Sequence, residues 1–379
     1  MEQRPVINYE SREDCFQKCS HVMSRLVYGD PSRIERPWLT VLVPTYKRVD
    51  LLKEALDSVL AWQWHVDFLW DVVVVDNEPD DGKENETEQL IRKLDNDRIL
   101  YYRNSESIRP GDNFNRGFLL ARGEWVMMLH DDDMIFPNTL QVVGKLIRAY
   151  DAGERSLGAI AATYVQVEYD PVRHELKADI PKTNNYYSSL PVNYRLYQIT
   201  HNNVKILAHI GGSAPSYGST FRRKAVIEAG GFNEDYGISG DLILFYNLEN
   251  DYNVFSTITP LGYYRWGDNG MVKEESTYRV IQNNYDFREY VYSHNPWIGH
   301  LFRNCHYRRF GTDAVTEHNN VSAKAAALSD YDEIYSGRPS GLWYLFYRCV
   351  ITKIYGFHKQ RQSIRNAQEA KKRLEALET

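Results

Sequence analysis

The chain alternates between short, largely apolar runs and segments in which apolar residues recur at helical spacing. The apolar runs are WLTVLVPTY from position 38, DVVVVD from 71, RILYYRN from 98 and WVMML from 125. Such runs are typical of strands buried on both faces of a parallel sheet. After the first run, apolar residues at 52, 55, 56, 59 and 60 predict a helix, with Asp50 as its N-cap. The resulting β-α-β-α-β-α-β-α order predicts an α/β fold with a mainly parallel sheet flanked by helices.

The polar and turn-rich residues 1–37 are predicted to form an N-terminal extension. The α/β pattern occupies 38–270, and 271–379 are predicted to form a mostly helical C-terminal region. The charged end of the chain, QEAKKRLEALET, is predicted as a solvated helix. Because no basic segment precedes an apolar core near residue 1, we expect no signal peptide. No apolar run reaches the roughly 18 residues that a membrane-spanning helix needs.

Polar residues follow three of the predicted strands, at 44–46, at Asp76 and at 131–133. The carboxyl ends of parallel strands meet at one sheet edge, where α/β proteins bind ligands. Three consecutive carboxylates repel one another unless a cation is bound between them. Oxygen ligands suit Mg²⁺ and Mn²⁺, so a divalent-cation site that would neutralise a substrate phosphate is predicted. The chain has neither G-x-G-x-x-G after the first strand nor G-x-x-x-x-G-K-[ST], which counts against dinucleotide-binding and P-loop domains.

Composition narrows the class of protein further. The 379 residues include 43% apolar side chains and carry a net charge of −6, which is ordinary for a globular enzyme and gives no reason to expect a nucleic-acid partner. Four scattered cysteines suggest no disulfide framework and favour a reducing cytoplasm.

Four motifs occur in an order and spacing that resemble the family 2 glycosyltransferases of GT-A fold. They are LTVLVPTYKRVDLLKEALDSVL, DVVVVDN, NRGFLLARGEWVMMLHDDDMIFPNTL and GSTFRRKAVIEAGGFNEDYGISGDL, and the resemblance covers about 38–270. It implies transfer of a sugar from a nucleotide-sugar donor, with a UDP-sugar favoured, and inversion at the anomeric carbon. It also implies Mn²⁺ or Mg²⁺ as cofactor and a saccharide or lipid-linked acceptor, as in surface polysaccharide synthesis.

The resemblance also assigns nucleotide-binding residues. These are Pro44, Thr45, Tyr46 and Arg48 after the first strand, Asp76 after the second, Asn115 before the acidic cluster, and Asp131 within it. Tyr46 would stack on the base, and Asp76 would accept a hydrogen bond from it. Alternatives stay open for three of them: a half-buried loop tyrosine for Tyr46, a turn-forming aspartate for Asp76, and helix packing for Asn115.

The acidic cluster matches the family's Asp-x-Asp metal motif in two registers. Read literally, Asp131 and Asp133 form the pair. Counted back from Pro137, the metal-binding position falls on Asp132, and His130 replaces the usual first aspartate. We favour Asp132 and Asp133 as metal ligands, and His130 is either a ligand or a wall of the cleft.

The resemblance places the catalytic base at Asp241, which would take the proton of the acceptor hydroxyl. Gly240 stands where the family often has glutamate. Glu234 and Asp235 are nearby competitors for the role, and a helix N-cap is the alternative role for Asp241.

Two C-terminal segments bear on the type of reaction and on partners. The stretch YYRW resembles the Q-x-x-R-W signature of processive sugar polymerases, but Gly262 replaces the glutamine, so a single-sugar transferase is predicted. Arg265 is predicted to contact phosphate, in a loop over 262–275. The aromatic and basic segment 340–361 has two open interpretations: contact with a membrane surface, or packing on the domain or on a second copy in a homo-oligomer. The expected location is the cytoplasm, at the inner face of the membrane if the first interpretation holds.

Two other functions remain as alternatives. One is a nucleotidyltransferase on a similar sheet, although VPTYKRVD lacks the glycines that its phosphate loop would need. The other is a non-catalytic relative that binds nucleotide sugars, against which the retained Asp132 and Asp241 argue.

Overall fold

The computed structural model of the chain describes residues 9–10, 12–60, 66–151, 155–170, 175–176, 199–202, 216–266, 283, 286–294, 296, 305 and 341–378. The strands are β1 Ser24–Tyr28, β2 Leu39–Thr45, β3 Trp70–Asp76, β4 Ile99–Asn104, β5 Trp125–Met128, β6 Met134–Ile135, β7 Leu157–Asp170, β8 Glu175–Leu176, β9 Ile199–His201, β10 Thr220–Arg222 and β11 Asn253–Trp266. The helices are α1 Val49–Leu60, α2 Glu86–Leu94, α3 Pro110–Leu120, α4 Thr139–Tyr150, α5 Arg223–Glu228, α6 Gly240–Asp251, α7 Gly341–Phe346 and α8 Thr352–Glu378.

The sheet has a parallel centre and antiparallel additions. Strands β4, β3, β2 and β5 lie side by side and are parallel, as the apolar runs predicted. β10 lies between β5 and β7 and is antiparallel to both, whereas β11 runs parallel to β7. The predicted α/β fold of a sheet flanked by helices is confirmed, and the sheet as a whole is mixed.

The apolar runs form central strands because both of their faces are covered. Every residue of β2 and of β3 is buried. Alternate residues of β3 point to opposite sides: Val72 and Val74 join one apolar cluster, and Val73 and Val75 join the other. A strand with one solvated face would need polar residues at alternate positions, whereas β3 has valine at all four positions from 72 to 75.

Two local expectations need correction. Helix α1 begins at Val49, so Asp50 lies inside its first turn and is not the N-cap. Part of the predicted N-terminal extension is integral to the sheet, because β1 pairs with β4 in antiparallel register. Phe16 of the same segment is buried in the core.

The described part of the C-terminal region is helical, as predicted. A π-helical turn, Tyr347–Ile351, joins α7 to α8. The charged end of the chain was predicted to be a solvated helix, but the second half of α8 is partly buried. Ala367 and Ala370 are buried against the domain. Asn366 Nδ2 donates to the carbonyl of Ile199 at 3.0 Å. Across the described ranges, no helix combines the length and the apolar character required to cross a bilayer.

Candidate active site

The polar ends of the central strands meet at one edge of the sheet, as the α/β pattern predicts. Thr45 ends β2 and Asp76 ends β3, and the two are register partners in the parallel pair. The acidic segment follows β5, which pairs with β2 on its other side. The backbone N–H of Leu129 donates to the carbonyl of Leu42 at 2.9 Å, which carries the pairing up to His130.

Asp131 ties the loop after β2 to the acidic segment. Thr45 Oγ1 donates to Asp131 at 2.8 Å. Arg48 Nη1 lies 3.4 Å from Asp131 and 2.8 Å from Asp132, so one guanidinium bridges both carboxylates. Burial and the charge of Asp132 raise the pKa of Asp131 to about 6, against the opposing effect of Arg48. The structure thus brings together Thr45, Arg48 and Asp131, three of the predicted nucleotide-binding residues.

The side chains of His130, Asp132 and Asp133 form a cluster that fits a divalent cation. Each offers one ligand atom, and these atoms lie within 4.8 Å of one another. His130 Nε2 and Asp133 Oδ2 are buried and make no hydrogen bond with the described residues. Burial lowers the pKa of His130, and burial with the charge of Asp132 raises that of Asp133 well above its usual range. A bound cation would satisfy both orphaned atoms and reverse the cost of burying the carboxylate.

His130 also forms part of the cleft wall. Its ring stacks on Phe114 with centroids 5.4 Å apart, and it lies 5.9 Å from the ring of Tyr217. These contacts fix the plane of the imidazole. The two roles that the sequence left open for His130, metal ligand and wall of the cleft, are therefore compatible with each other.

Asp241 lies in the first turn of α6, beyond its N-cap residue Ser239. Its carboxylate accepts from the N–H groups of Leu242 at 2.8 Å and Ser216 at 3.3 Å. Burial raises its pKa to about 6, and these backbone donors oppose the rise. A carboxylate with this pKa is ionised near neutral pH and is a better proton acceptor than an exposed aspartate.

The two acidic neighbours of Asp241 are engaged elsewhere. Glu234 accepts from the N–H of Gly111 at the start of α3, where a carboxylate is stabilised by the helix dipole. Asp235 forms ion pairs with Lys18 at 2.8 Å and with Arg109 at 3.2 Å. Glu234 is thus fixed at the start of α3 and Asp235 is paired with two cations, whereas the described hydrogen bonds of the Asp241 carboxylate come from backbone N–H groups.

A tight turn at 216–219 links the cation cluster to Asp241. Ser216 bonds to Asp241, and the N–H of Gly218 donates to the carbonyl of Met128 at 2.5 Å. Gly218 has φ of +65°, a conformation that favours glycine. Between these two anchors, Tyr217 is 8% exposed, and its hydroxyl makes no hydrogen bond with any described residue.

Tyr217 is a site residue that the sequence did not reveal. Its ring stacks on Tyr264 with centroids 4.7 Å apart. Burial, and then the neighbouring tyrosine and aspartate charges, including Asp133 and Asp241, raise its pKa. Its hydroxyl thus lies in the field of both the cation cluster and Asp241. The motif GSTFRR begins immediately after it, so the turn Tyr217-Gly218 was the available signal.

The amino-acid sequence over residues 40–226, about half of the chain, matches the family model described as "Glycosyl transferase family 2". These residues belong to that family. The predicted family and enzyme class are confirmed for this segment. Among curated proteins, the chain is 34% identical over 110 residues to a GalNAc(5)-diNAcBac-PP-undecaprenol beta-1,3-glucosyltransferase of Campylobacter jejuni. It is 28% identical over 106 residues to a putative colanic acid biosynthesis glycosyl transferase, WcaA, of Escherichia coli K12.

These similarities are partial. Each alignment covers 28% of this chain, and the chain spans 33% of the Campylobacter jejuni protein and 36% of the Escherichia coli protein. Among solved structures, residues 1–349 of S. aureus TarS superpose with a TM-score of 0.49 at 15% identity, over 89% of this chain and 91% of that one.

Two predicted nucleotide-binding residues of the family 2 segment, Asp76 and Asn115, use their side chains for hydrogen bonds within the protein. Asp76 is fully buried, and its carboxylate accepts from Tyr101 OH at 2.7 Å, Asn85 Nδ2 at 2.9 Å and the N–H of Glu78 at 2.9 Å. Burial raises the pKa of Asp76. The geometry therefore favours the turn-forming role over contact with a base.

Asn115 is likewise engaged in the fold. It is buried, donates to the carbonyl of Phe232 at 2.8 Å and accepts from the N–H of Phe232 at 2.8 Å. Helix packing is therefore the role that the structure supports for Asn115, and the predicted nucleotide contact has no geometric support.

The remaining predicted positions lie at or near the cleft. Tyr46 is 46% exposed, with Lys47 Nζ 5.3 Å from its ring centroid, so the ring is accessible to a base. Pro44 is buried within β2. Arg265 is also buried: its guanidinium pairs with Glu54, and its backbone N–H donates to Asp133 at 3.0 Å, so the predicted phosphate contact has no geometric support. Positions 267–275 of the predicted loop lie outside the described residues.

Proposed function

We propose that the chain is an inverting, metal-dependent glycosyltransferase that moves one sugar from a nucleotide diphosphate sugar to a saccharide or lipid-linked acceptor. The observation that carries the proposal is the pairing of two groups at one sheet edge. One is a cation-fitting cluster with two orphaned ligand atoms, and the other is a carboxylate suited to general-base chemistry. Both lie within or just beyond the family 2 segment.

Asp132 and Asp133, with His130 as a third ligand, would hold Mn²⁺ or Mg²⁺. When bound, such an ion neutralises charge on the diphosphate leaving group. Arg48, which already bridges Asp131 and Asp132, adds a fixed positive charge beside the phosphates. The exposed ring of Tyr46 offers a surface for stacking of the base.

Asp241 would act on the acceptor. Its carboxylate takes the proton from the acceptor hydroxyl while that oxygen bonds to the anomeric carbon. The bond between that carbon and the diphosphate oxygen breaks, and the electron pair leaves with the nucleoside diphosphate. Attack from the face opposite the leaving group inverts the configuration. The backbone donors to Asp241 hold its carboxylate in place during proton transfer.

A lipid-linked saccharide is the favoured acceptor, and a UDP-sugar remains the favoured donor from the family resemblance. The name of the Campylobacter jejuni relative describes transfer of glucose to a saccharide on undecaprenol diphosphate. The name of the Escherichia coli relative describes synthesis of colanic acid. Both names support a saccharide or lipid-linked acceptor. A role in surface polysaccharide synthesis, in the cytoplasm at the inner face of the membrane, is part of the same proposal and comes from the family resemblance.

The proposal is tested by incubating the protein with a panel of nucleotide sugars and Mn²⁺ and following release of nucleoside diphosphate. We expect hydrolysis of one donor by the wild type and a loss of at least about 100-fold in Asp132→Ala and in Asp241→Asn. Lys224→Ala, at an exposed position, is the control. Absence of both turnover and binding with every donor contradicts the proposal. In a parallel incubation with nucleoside triphosphates and sugar 1-phosphates, pyrophosphate release would indicate a nucleotidyltransferase. Donor binding without turnover in the presence of acceptors would indicate a non-catalytic relative.

A further inference from the structure

Helices α7 and α8 and the π-helical turn between them expose a continuous line of large apolar side chains. We call this the apolar stripe, and it consists of Leu342, Leu345, Phe346, Val350, Ile354 and Phe357. Leu342 is 82% exposed and Ile354 is 61% exposed. Residues three or four apart lie on one face of a helix, so these side chains form one strip rather than scattered positions. An exposed apolar strip of this kind marks an interaction surface.

The opposite face of the same helices is packed. Tyr344 and Tyr347 are buried and form a small cluster with Cys305. Farther along, Ala367 and Ala370 of α8 are buried against the domain. The helices are therefore held on the protein by one face, and the apolar stripe is directed outward from it.

Between 341 and 368, the charged side chains of these helices have one sign. From 341 to 368 the sequence has five basic residues and no acidic residue, although the whole chain carries a net charge of −6. Arg361 and Arg365 follow Phe357 at four-residue steps, so they extend the face of the apolar stripe. Both are exposed, and Arg361 lies 4.9 Å from the ring centroid of Phe357.

We infer that the apolar stripe and the basic residues that follow it bind an anionic lipid surface, with the helices lying in the plane of the headgroups. Aliphatic and aromatic side chains enter the boundary between headgroups and acyl chains, and arginine and lysine remain with the phosphates. Charge complementarity with the basic residues favours an anionic lipid surface as the partner. A second copy of the chain, which is acidic overall, would have to bring its own basic stripe against an equally basic one in a symmetric pair.

The inference is tested by sedimentation of the full chain with phosphatidylglycerol/phosphatidylcholine vesicles and with phosphatidylcholine vesicles alone. We expect binding to the anionic vesicles that weakens as salt is raised. The triple variant Leu342→Ser, Ile354→Ser, Phe357→Ser and the double variant Arg361→Gln, Arg365→Gln should each bind about tenfold more weakly. The matched control is Met23→Ser, Leu69→Ser, Ile258→Ser, which removes three exposed apolar side chains elsewhere and should bind as the wild type does.

A second measurement uses the chain without substitutions. Cys349 is exposed beside the apolar stripe, whereas Cys15, Cys19 and Cys305 are buried, so an environment-sensitive thiol probe labels Cys349 selectively. Its emission should shift to the blue with anionic vesicles and remain unchanged with phosphatidylcholine.

Absence of both vesicle binding and the probe shift overturns the inference, as does binding that the stripe variant retains. A concentration-dependent dimer that the stripe variant abolishes, without vesicle binding, would identify a second copy as the occupant and also overturn it. No donor or acceptor is present in these measurements, so their failure leaves the proposed glycosyltransferase function untouched.

Discussion

Burial controls the protonation of the acidic residues at this strand edge, and a cation would change that balance. Asp131 and Asp241 each have a pKa raised to about 6, and that of Asp133 is raised well above its usual range. Holding such groups ionised costs the folded state free energy, because a buried charge loses its hydration. At Asp241 this free-energy cost of a buried charge remains, because the two backbone N–H donors offset only part of it. Function and stability are therefore opposed at single residues of this site.

Asp241→Asn should stabilise the protein near neutral pH while it abolishes sugar transfer. The folded carboxyl has a pKa of about 6, above its ordinary 3.8, so the folded state loses stability as pH rises from about 4 through about 6. The amide carries no charge, so the free energy of unfolding should be about 3 kcal/mol higher than in the wild type near pH 7. The difference should vanish below about pH 4, where both states of the wild type are protonated. Urea denaturation at several pH values measures it, and a difference independent of pH would contradict this account.

His130→Phe should weaken Mn²⁺ binding by about 10- to 100-fold, the range usual for residues that support a metal site. Phenylalanine keeps the stacking on Phe114 but removes the nitrogen beside Asp132 and Asp133. Titration followed by electron paramagnetic resonance gives the affinity, and the wild type should show a nitrogen coupling to the bound ion that the variant lacks. Tyr217→Phe is the control, because it removes a hydroxyl and no nitrogen. Equal affinities for His130→Phe and wild type would restrict His130 to the cleft wall.

At the scale of elements, the hydropathy patterns predicted those features that depend only on residues close together in the sequence. The apolar runs predicted strands β2 to β5, because strands that are covered on both faces consist largely of apolar residues. The polar residues that follow the runs predicted where these strands end. The insertion of antiparallel β10 between β5 and β7 was not predictable, since three residues of mixed polarity carry no signal of a distant pairing. The hydrogen bonds of the Asn115 side chain were not predictable for the same reason, because their partner Phe232 is distant in the sequence.

Asn115→Ala separates the packing role from nucleotide binding. The substitution removes both hydrogen bonds to the backbone of Phe232 and leaves buried groups unsatisfied, so we expect a loss of about 2–4 kcal/mol in the free energy of unfolding. Urea denaturation measures this loss, and calorimetry with UDP should give a dissociation constant close to that of the wild type. Asn247→Ala, which removes one bond of 3.4 Å to Ala229, is the milder control. A large loss of UDP affinity with unchanged stability would restore the nucleotide-binding role.

Across the whole molecule, the C-terminal helix joins two different surfaces. The first half of α8 continues the apolar stripe, and its second half is fixed to the family 2 segment. Arg373 Nη1 donates to the carbonyl of Ala149 at the end of α4, and Asn366 bonds to β9. The apolar stripe is therefore carried by a helix whose second half is anchored to the sheet and to α4.

Ala370→Asp tests whether the second half of α8 contributes to the stability of the whole domain. Ala370 is 1% exposed and belongs to the apolar cluster that includes Leu146 and Ile147 of α4, so an aspartate there would bury an unpaired charge. We expect the free energy of unfolding to fall by about 3 kcal/mol, with a clear drop in the thermal midpoint. Ala376→Asp places the same change at an exposed position of the same helix and should alter stability by less than about 1 kcal/mol. If both variants melt like the wild type, the second half of α8 does not stabilise the domain.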